Sequence, residues 1–117
     1  MKFSVLMSLY YKEKPELLDE CLSSILKQTV MPSEVIIVED GPLTEGLYQS
    51  LNSWGNKLPI IRVQITKNVG LGKALNEGLK HCSYDIIARM DTDDICNQRR
   101  FEKQLLELVD NEVDVCG

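Results

Sequence analysis

An apolar run turns abruptly into a cluster of acids in Asp85-Ile86-Ile87-Ala88-Arg89-Met90-Asp91-Thr92-Asp93-Asp94. The apolar first part of this stretch predicts a buried strand, and the stretch ends in three carboxylates within four residues. Such a cluster cannot continue a strand through a core, because each buried carboxylate would need a partner or a proton. We therefore expect it at the exposed end of the strand. In an open α/β sheet, the carboxyl ends of the strands are where ligands bind.

Asp91 and Asp93 are separated by one residue at this strand end. Their oxygens are the hard ligands that Mg²⁺ or Mn²⁺ takes, with substrate phosphates commonly completing the coordination. A solvated acidic loop that caps the next helix fits the same residues, because an Asp-x-Asp pattern is short. The rest of the chain has to decide between a metal site and such a loop.

The remaining stretches alternate between strand-like and helix-like patterns. Apolar or β-branched runs predict strands at residues 3–9, 34–40, 60–65 and 85–90, and the opening of a fifth at 113–117. Helical spacing of apolar residues predicts helices at residues 15–28, 43–54, 97–110 and from 71 onward. In the last of these, one face carries Leu71, Leu75, Gly78, Leu79 and Cys82. The alternating strand 60–65 should lie near a sheet edge. This order is typical of an α/β domain with a parallel sheet.

Polar clusters follow three predicted strands: Ser8 with Tyr10, Glu39 with Asp40, and residues 91–94. They should gather at one edge of the sheet, and such convergence favours a nucleotide-and-metal site. Glycines at 70 and 72 open the third helix, where they allow close backbone approach and free N–H groups favour anions. A glycine-started helix without a ligand also fits, and the Walker phosphate-loop pattern is absent.

The composition narrows the class of protein. The 117 residues amount to one soluble domain at most, and the net charge of −5 argues against a nucleic-acid partner. Four scattered cysteines and a single histidine indicate neither a zinc site nor a disulfide framework, which favours free thiols in a reducing cytoplasm. No cleavable signal or stretch of about 18 apolar residues is present, so we expect no transmembrane segment and a cytoplasmic location.

A series of motifs in a fixed order carries a family resemblance. They are Ser8-Leu9-Tyr10, Ser23-Ser24-Ile25-Leu26-Lys27-Gln28-Thr29, Glu34-Val35-Ile36-Ile37-Val38-Glu39-Asp40-Gly41, Asn68-Val69-Gly70-Leu71-Gly72-Lys73-Ala74-Leu75-Asn76-Glu77-Gly78, Asp91-Thr92-Asp93-Asp94 and Arg100-Phe101-Glu102-Lys103-Gln104. The chain resembles the N-terminal, nucleotide-binding half of family 2 inverting glycosyltransferases, whose fold is called GT-A. The resemblance implies an open, mainly parallel, Rossmann-like sheet with flanking helices, truncated after the fourth strand–helix unit. Residues 1–117 would be the nucleotide-sugar-binding part of an incomplete domain without its acceptor-binding half.

The resemblance also assigns roles to individual residues. It implies nucleotide-binding roles for Ser8, Tyr10, Asp40, Gly70, Lys73 and Asp91, and metal-binding roles for Asp93 and Asp91. Tyr10 would stack on the base beside Ser8, and Asp40 would accept the uracil N3–H. Gly70 and Lys73 would lie along the nucleotide, with Lys73 near its phosphates. Glu39 departs from the Asp that the family often carries, and Tyr11 from the Asn that many members carry.

The implied reaction is inverting transfer from a nucleotide-diphospho-sugar, a UDP-sugar by resemblance, to an acceptor hydroxyl. Mn²⁺ or Mg²⁺ would neutralise the diphosphate, and a carboxylate beyond residue 117 would act as the general base. We therefore expect this chain alone to transfer little sugar. The acceptor would be a saccharide or a lipid-linked one in surface polysaccharide biosynthesis, and a lipid-linked acceptor would bring the full enzyme to a membrane surface as a peripheral protein.

The sequence leaves three other functional interpretations open. An EF-hand calcium loop would use Asp91, Asp93 and Glu102, but Cys96 stands where its glycine belongs. A phosphoacceptor signalling domain also has a parallel sheet and an acidic pair such as Glu39-Asp40. In such a domain the acidic pair follows the first strand, whereas here it follows the second predicted strand. A nucleotidyltransferase has the same type of fold and also binds a divalent metal through carboxylates. It normally has a glycine-rich loop after the first strand, and this chain has no glycine there.

Overall fold

The computed structural model describes residues 2–90 and the backbone of residues 115–116. The strands are β1 (Ser4–Leu9), β2 (Glu34–Asp40), β3 (Ile60–Ile65), β4 (Ile87–Arg89) and β5 (Val115–Cys116). The helices are α1 (Pro15–Leu26), α2 (Glu45–Trp54) and α3 (Leu71–Leu79). The strand opening predicted near the end of the chain is confirmed as β5, whereas the predicted helix 97–110 lies outside the described residues.

The described strands form one sheet in the order β3-β2-β1-β4-β5, and each neighbouring pair is parallel. This confirms the predicted open, parallel α/β architecture. The alternating strand β3 lies at an edge, as predicted, and leaves Ile61 exposed. Leu9 pairs with Glu39, and Asp40 with Ile65, so that β1, β2 and β3 end together.

Side chains alternate between the two faces of the sheet, and each face has its own core. Odd-numbered residues of β2, such as Val35 and Ile37, pack with α1 and α2, while Ile36 and Val38 pack with Ala74 of α3. Both sets are fully buried. The face on which a β2 side chain lies therefore decides which helices it meets. No helix among the described residues is long and apolar enough to cross a membrane.

Two helices differ from their predicted form. The helix predicted from residue 43 begins at Glu45, because the Thr44 hydroxyl accepts the Leu47 N–H at 3.4 Å as an N-cap. The predicted apolar face of α3 is wrong in part, since Leu71 and Leu79 are 58% and 42% exposed. Gly78, which the predicted face included, meets the sheet together with Ala74, because α3 comes too close to β1 and β2 at Gly78 for a larger side chain. The predicted Leu75 and Cys82 are half-buried against the same cluster.

Gly78 marks the closest approach of α3 to the sheet. A Cβ at this position would lie 2.5 Å from Leu6 Cδ1 and 2.6 Å from Val38 Cγ2, on two neighbouring strands. Gly72, in the first turn of the same helix, has no atom of the described part of the chain within 4 Å of the place where its Cβ would be. The two glycines therefore separate the effect of crowding from that of helix propensity.

We predict that Gly78→Ala is less stable than Gly72→Ala by about 1–3 kcal/mol, the usual cost of overpacking a core. Both variants gain the same alanine propensity of up to about 1 kcal/mol in helix stability, so the difference isolates the contact with Leu6 and Val38. Urea unfolding of the two variants and the parent chain measures it. Equal free energies of unfolding for the two variants would contradict the close packing.

A buried carboxylate joins strands at the amino edge of the sheet. Glu34 Oε2 accepts the Ser4 hydroxyl and the Ser83 N–H, both at 2.6 Å, and so ties β1 and β2 to the segment before β4. Burial opposes its ionisation, but the hydrogen bonds from Ser4 and Ser83 outweigh it and lower the pKa of Glu34. This anchor lies at the opposite end of β2 from Glu39 and Asp40.

Because its folded-state pKa is lowered, ionised Glu34 stabilises the fold above its unfolded-state pKa near 4.5. That contribution is lost as the pH falls through the folded-state value. Glu34→Gln should therefore be less stable than the parent at pH 7 but lose less stability between about pH 5 and pH 3. Thermal unfolding across this range measures it, with Glu20→Gln on the exposed side of α1 as the control. Parallel pH profiles for the parent and Glu34→Gln would contradict the assignment.

Candidate functional site

Two consecutive buried carboxylates end β2. They are Glu39 and Asp40, which are only 2% and 3% exposed to solvent. Because successive strand residues face opposite sides, Glu39 lies on the α2 side of the sheet and Asp40 on the α3 side. Buried carboxylates require partners, and each of the two has its own set.

The partners of Asp40 are backbone groups of the segment between β3 and α3. The Val69 N–H donates to Oδ1 at 2.7 Å and the Gly70 N–H to Oδ2 at 3.1 Å, while the Asn68 amide donates to the Asp40 carbonyl. Gly41 follows with φ +85°, and a Cβ there would lie 2.7 Å from Asn68 N. Asp40 thus fixes the entry to α3 against the end of β2.

The partner of Glu39 is Arg62 on β3. The Arg62 Nε donates to Glu39 Oε2 at 2.5 Å and Nη2 donates to Oε1 at 3.1 Å, which is a two-point ion pair. The hydrogen bonds that Arg62 donates to the Glu39 carboxylate raise the pKa of Arg62. The Arg62 guanidinium also lies 5.8 Å from the centre of the Tyr48 ring, whose hydroxyl accepts the Leu43 N–H at 2.9 Å.

The other described residues of the predicted nucleotide site lie at or near the same edge. Ser8 is half-buried near the end of β1, and its number places it on the α3 face with Asp40. Tyr10 follows β1, is 38% exposed and meets the Tyr11 ring edge-on at 6.0 Å between centroids. An exposed aromatic ring at this edge offers a surface on which a base can stack.

Gly70 and Lys73 form the side of the site built by α3. Gly70 has φ +94°, and no atom of the described residues lies within 4 Å of the place where a Cβ would be, so they leave this backbone open to a ligand. Lys73 lines a groove of about 390 Å³ together with Gln64, Ile65, Thr66, Val69 and Glu77. The free N–H groups of the first turn and the Lys73 ammonium together favour an anion at this point.

The predicted metal ligands Asp91 and Asp93 lie outside the described residues, as does Asp94. Met90, the residue before them, donates its N–H to the Leu6 carbonyl at 3.0 Å and so continues the pairing of β4 with β1. Among the described side chains, no group of three or more His, Cys, Asp or Glu residues is placed to hold a metal ion.

Sequence reasoning missed Arg62, Tyr48 and the backbone of Val69. In the sequence, Arg62 is one polar residue of the alternating strand 60–65, and its pairing with Glu39 depends on β3 being next to β2 in a particular register. The only sequence signal for this pair is a Glu and an Arg on two successive predicted strands. The sequence pattern does not show which strands are neighbours in the sheet, because strand order is a tertiary feature.

The sequence model described as "Glycosyl transferase family 2" matches residues 4–117. The chain belongs to this family. A family 2 member is neither a phosphoacceptor domain nor an EF-hand protein, so those alternatives fall away, and the match gives no support to a nucleotidyltransferase.

Two curated relatives are named as glycosyltransferases. The chain is 54% identical over 103 residues to the amylovoran biosynthesis glycosyltransferase AmsE of Erwinia amylovora. This alignment covers 88% of the chain and 39% of the relative. The chain is 50% identical over 101 residues to the UDP-Gal:alpha-D-GlcNAc-diphosphoundecaprenol beta-1,3-galactosyltransferase of Escherichia coli, covering 86% of this chain and 37% of the relative. The chain thus spans about two fifths of the length of these family 2 relatives.

Solved family structures share the fold. Residues 1–349 of S. aureus TarS, in complex with UDP-GlcNAc, superpose with a TM-score of 0.82 at 29% identity, covering 96% of this chain and 32% of that one. The mannosyltransferase PcManGT of Pyrobaculum calidifontis, in complex with GDP-Man and Mn²⁺, superposes with a TM-score of 0.68 at 28% identity, covering 79% and 27%. The GT-A type of sheet implied by the sequence is therefore confirmed.

We predict that Asp40→Asn loses about 1–3 kcal/mol of folding stability, because an amide nitrogen would face an N–H donor that the carboxylate now accepts. Denaturant unfolding measures the loss. Asp85→Asn, the same chemical change at an exposed residue, should stay within about 0.5 kcal/mol of the parent. If both variants unfold alike, the hydrogen bonds from Val69 and Gly70 do not stabilise the fold as described.

Proposed function

We propose that this chain binds the UDP portion of a UDP-sugar and is the donor-binding part of an inverting glycosyltransferase of surface polysaccharide biosynthesis. The observation that carries the proposal is the convergence of Asp40, Gly70 and Lys73 where β2 and β3 end, in a chain of family 2. A hydrogen-bond acceptor, an open backbone and a cation are what a nucleobase and a diphosphate require.

Each described residue has a part in the proposed donor site. Tyr10 stacks on the uracil beside Ser8, and Asp40 accepts the uracil N3–H with a lone pair left over by its backbone donors. Gly70 lets the nucleotide approach the backbone, and Lys73 lies towards the phosphates. The UDP-GlcNAc complex of S. aureus TarS and the UDP-Gal in the name of the Escherichia coli relative support a uridine nucleotide.

A divalent cation belongs to the proposal. We assign Asp93 and Asp91 as ligands of Mn²⁺ or Mg²⁺, because their carboxylate oxygens suit these ions and the Pyrobaculum calidifontis structure contains Mn²⁺. When bound, such an ion neutralises negative charge on the diphosphate leaving group. Asp91 serves either the ion or the ribose.

Transfer itself is proposed for a protein of the relatives' length, since this chain spans about two fifths of it. The general base that takes the acceptor proton would lie beyond residue 117, and this chain alone should transfer little sugar. The acceptor is a saccharide or a lipid-linked one, as the diphosphoundecaprenol substrate in the name of the Escherichia coli relative supports. The proposed location is the cytoplasm, peripheral to a membrane where the acceptor is lipid-linked.

Calorimetric titration of UDP tests the proposal on this chain, with Mn²⁺ and with EDTA. We expect binding that depends on the metal and that Asp93→Ala weakens by about tenfold or more, a loss of about 1.4 kcal/mol. Glu20→Ala, which removes an exposed carboxylate from α1, should bind as the parent does. Equal affinity in EDTA and Mn²⁺, or full affinity in a folded Asp93→Ala chain, would contradict the metal site.

A further inference from the structure

The ion pair between Arg62 and Glu39 lies next to the nucleotide site but outside every role assigned so far. Glu39 is 2% exposed and the Arg62 side chain 31% exposed, so the pair is only partly accessible to water. The planar guanidinium meets the carboxylate at two points, which fixes the orientation of both groups as a single-point contact would not.

This pair is connected to both segments that border the site. Arg62 packs over the ring of Tyr48, and the Tyr48 hydroxyl accepts the N–H of Leu43, two residues after the positive-φ turn at Gly41. On the opposite face, Asp40 follows Glu39 directly and receives Val69 and Gly70. The last two residues of β2 are thus held from both sides of the sheet.

We propose that Arg62 is a positioning residue for nucleobase recognition. By holding Glu39 on one face of β2, it fixes the backbone at the strand end and with it the Asp40 carboxylate on the other face. The inference rests on the proposed function, because it takes Asp40 as the group that accepts the uracil N3–H. Arg62 itself does not touch the nucleotide.

The two-point contact with Arg62 depends on the length of the Glu39 side chain. Arg62 stands opposite Ile37, two residues before Glu39 in the register, so the two side chains meet on a diagonal between neighbouring strands. A shorter carboxylate at position 39 would not reach both guanidinium nitrogens. Glu39→Asp should therefore reproduce part of the effect of removing Arg62, although it keeps the charge.

The test compares UDP with CDP, because cytosine has no N3–H to donate. With the chain and Mn²⁺, we expect Arg62→Met to raise the Kd for UDP by about tenfold and to shrink the preference for UDP over CDP by a similar factor. Arg62→Lys should fall between, since it keeps the charge without the two-point geometry. Lys57→Met is the matched control, because it removes a cation that lies 4.8 Å from the Trp54 ring and meets no base-recognition group.

A purely structural role predicts a different result. In that case Arg62→Met lowers Tm while the UDP-to-CDP preference, measured well below Tm, stays within about twofold of the parent, and this outcome overturns the proposal. If the parent chain binds no UDP, it is the proposed function that fails on this chain. Amide hydrogen exchange then decides on Arg62: selective loss of protection at Leu43, Val69 and Gly70 in Arg62→Met supports positioning, and unchanged protection there overturns it.

Discussion

Two neighbouring carboxylates buried at the end of one strand impose a demand that the surrounding structure has to meet. Glu39 and Asp40 repel each other and are removed from water, so each needs donors of its own. Strand geometry turns their side chains to opposite faces, which keeps the two sets of donors apart. Arg62 donates hydrogen bonds to Glu39 on the α2 side, and the backbone N–H groups of Val69 and Gly70 donate to Asp40 on the α3 side.

Much of the fold can be understood as what brings those donors into place. Pairing of β2 with β3 places Arg62 beside Glu39, and the segment that leads into α3 places two N–H groups beside Asp40. Gly78 allows α3 to lie directly over Leu6 and Val38, which brings the entry of that helix down to the edge of the sheet. The anchor of Glu34 to Ser4 and Ser83 secures the opposite edge, so that the strand is held at both ends.

The sequence alone predicted the architecture well, because apolar runs of the right length and period leave little choice of element. It predicted the edge position of β3 from its alternation, and the start of β5 from three hydrophobic residues. It misjudged part of the face of α3, because Leu71 and Leu79 follow the helical period but are exposed, while Ala74 and the predicted Gly78 meet the sheet. It could not find the Arg62–Glu39 pair, since strand order and register arise from packing between elements that are distant in the sequence. The position of Asp40 at a strand end was predicted from the sequence, but its role towards the base came only from the resemblance. The hydrogen bonds that its carboxylate accepts from Val69 and Gly70 depend on contacts 29 and 30 residues away.

The central claim is that the end of β2 and the entry of α3 together form a uridine nucleotide site. An NMR titration of the isotopically labelled chain with UDP and Mg²⁺ tests it most directly, because it reports on every amide at once. The account predicts that the largest shifts fall on Tyr10, Gly41, Val69, Gly70 and Lys73, while Glu34 and Ser83 at the opposite edge stay unchanged. Shifts concentrated around Glu34 and Ser83, or spread over the outer surface of α1 with none at Gly41 and Gly70, would contradict it.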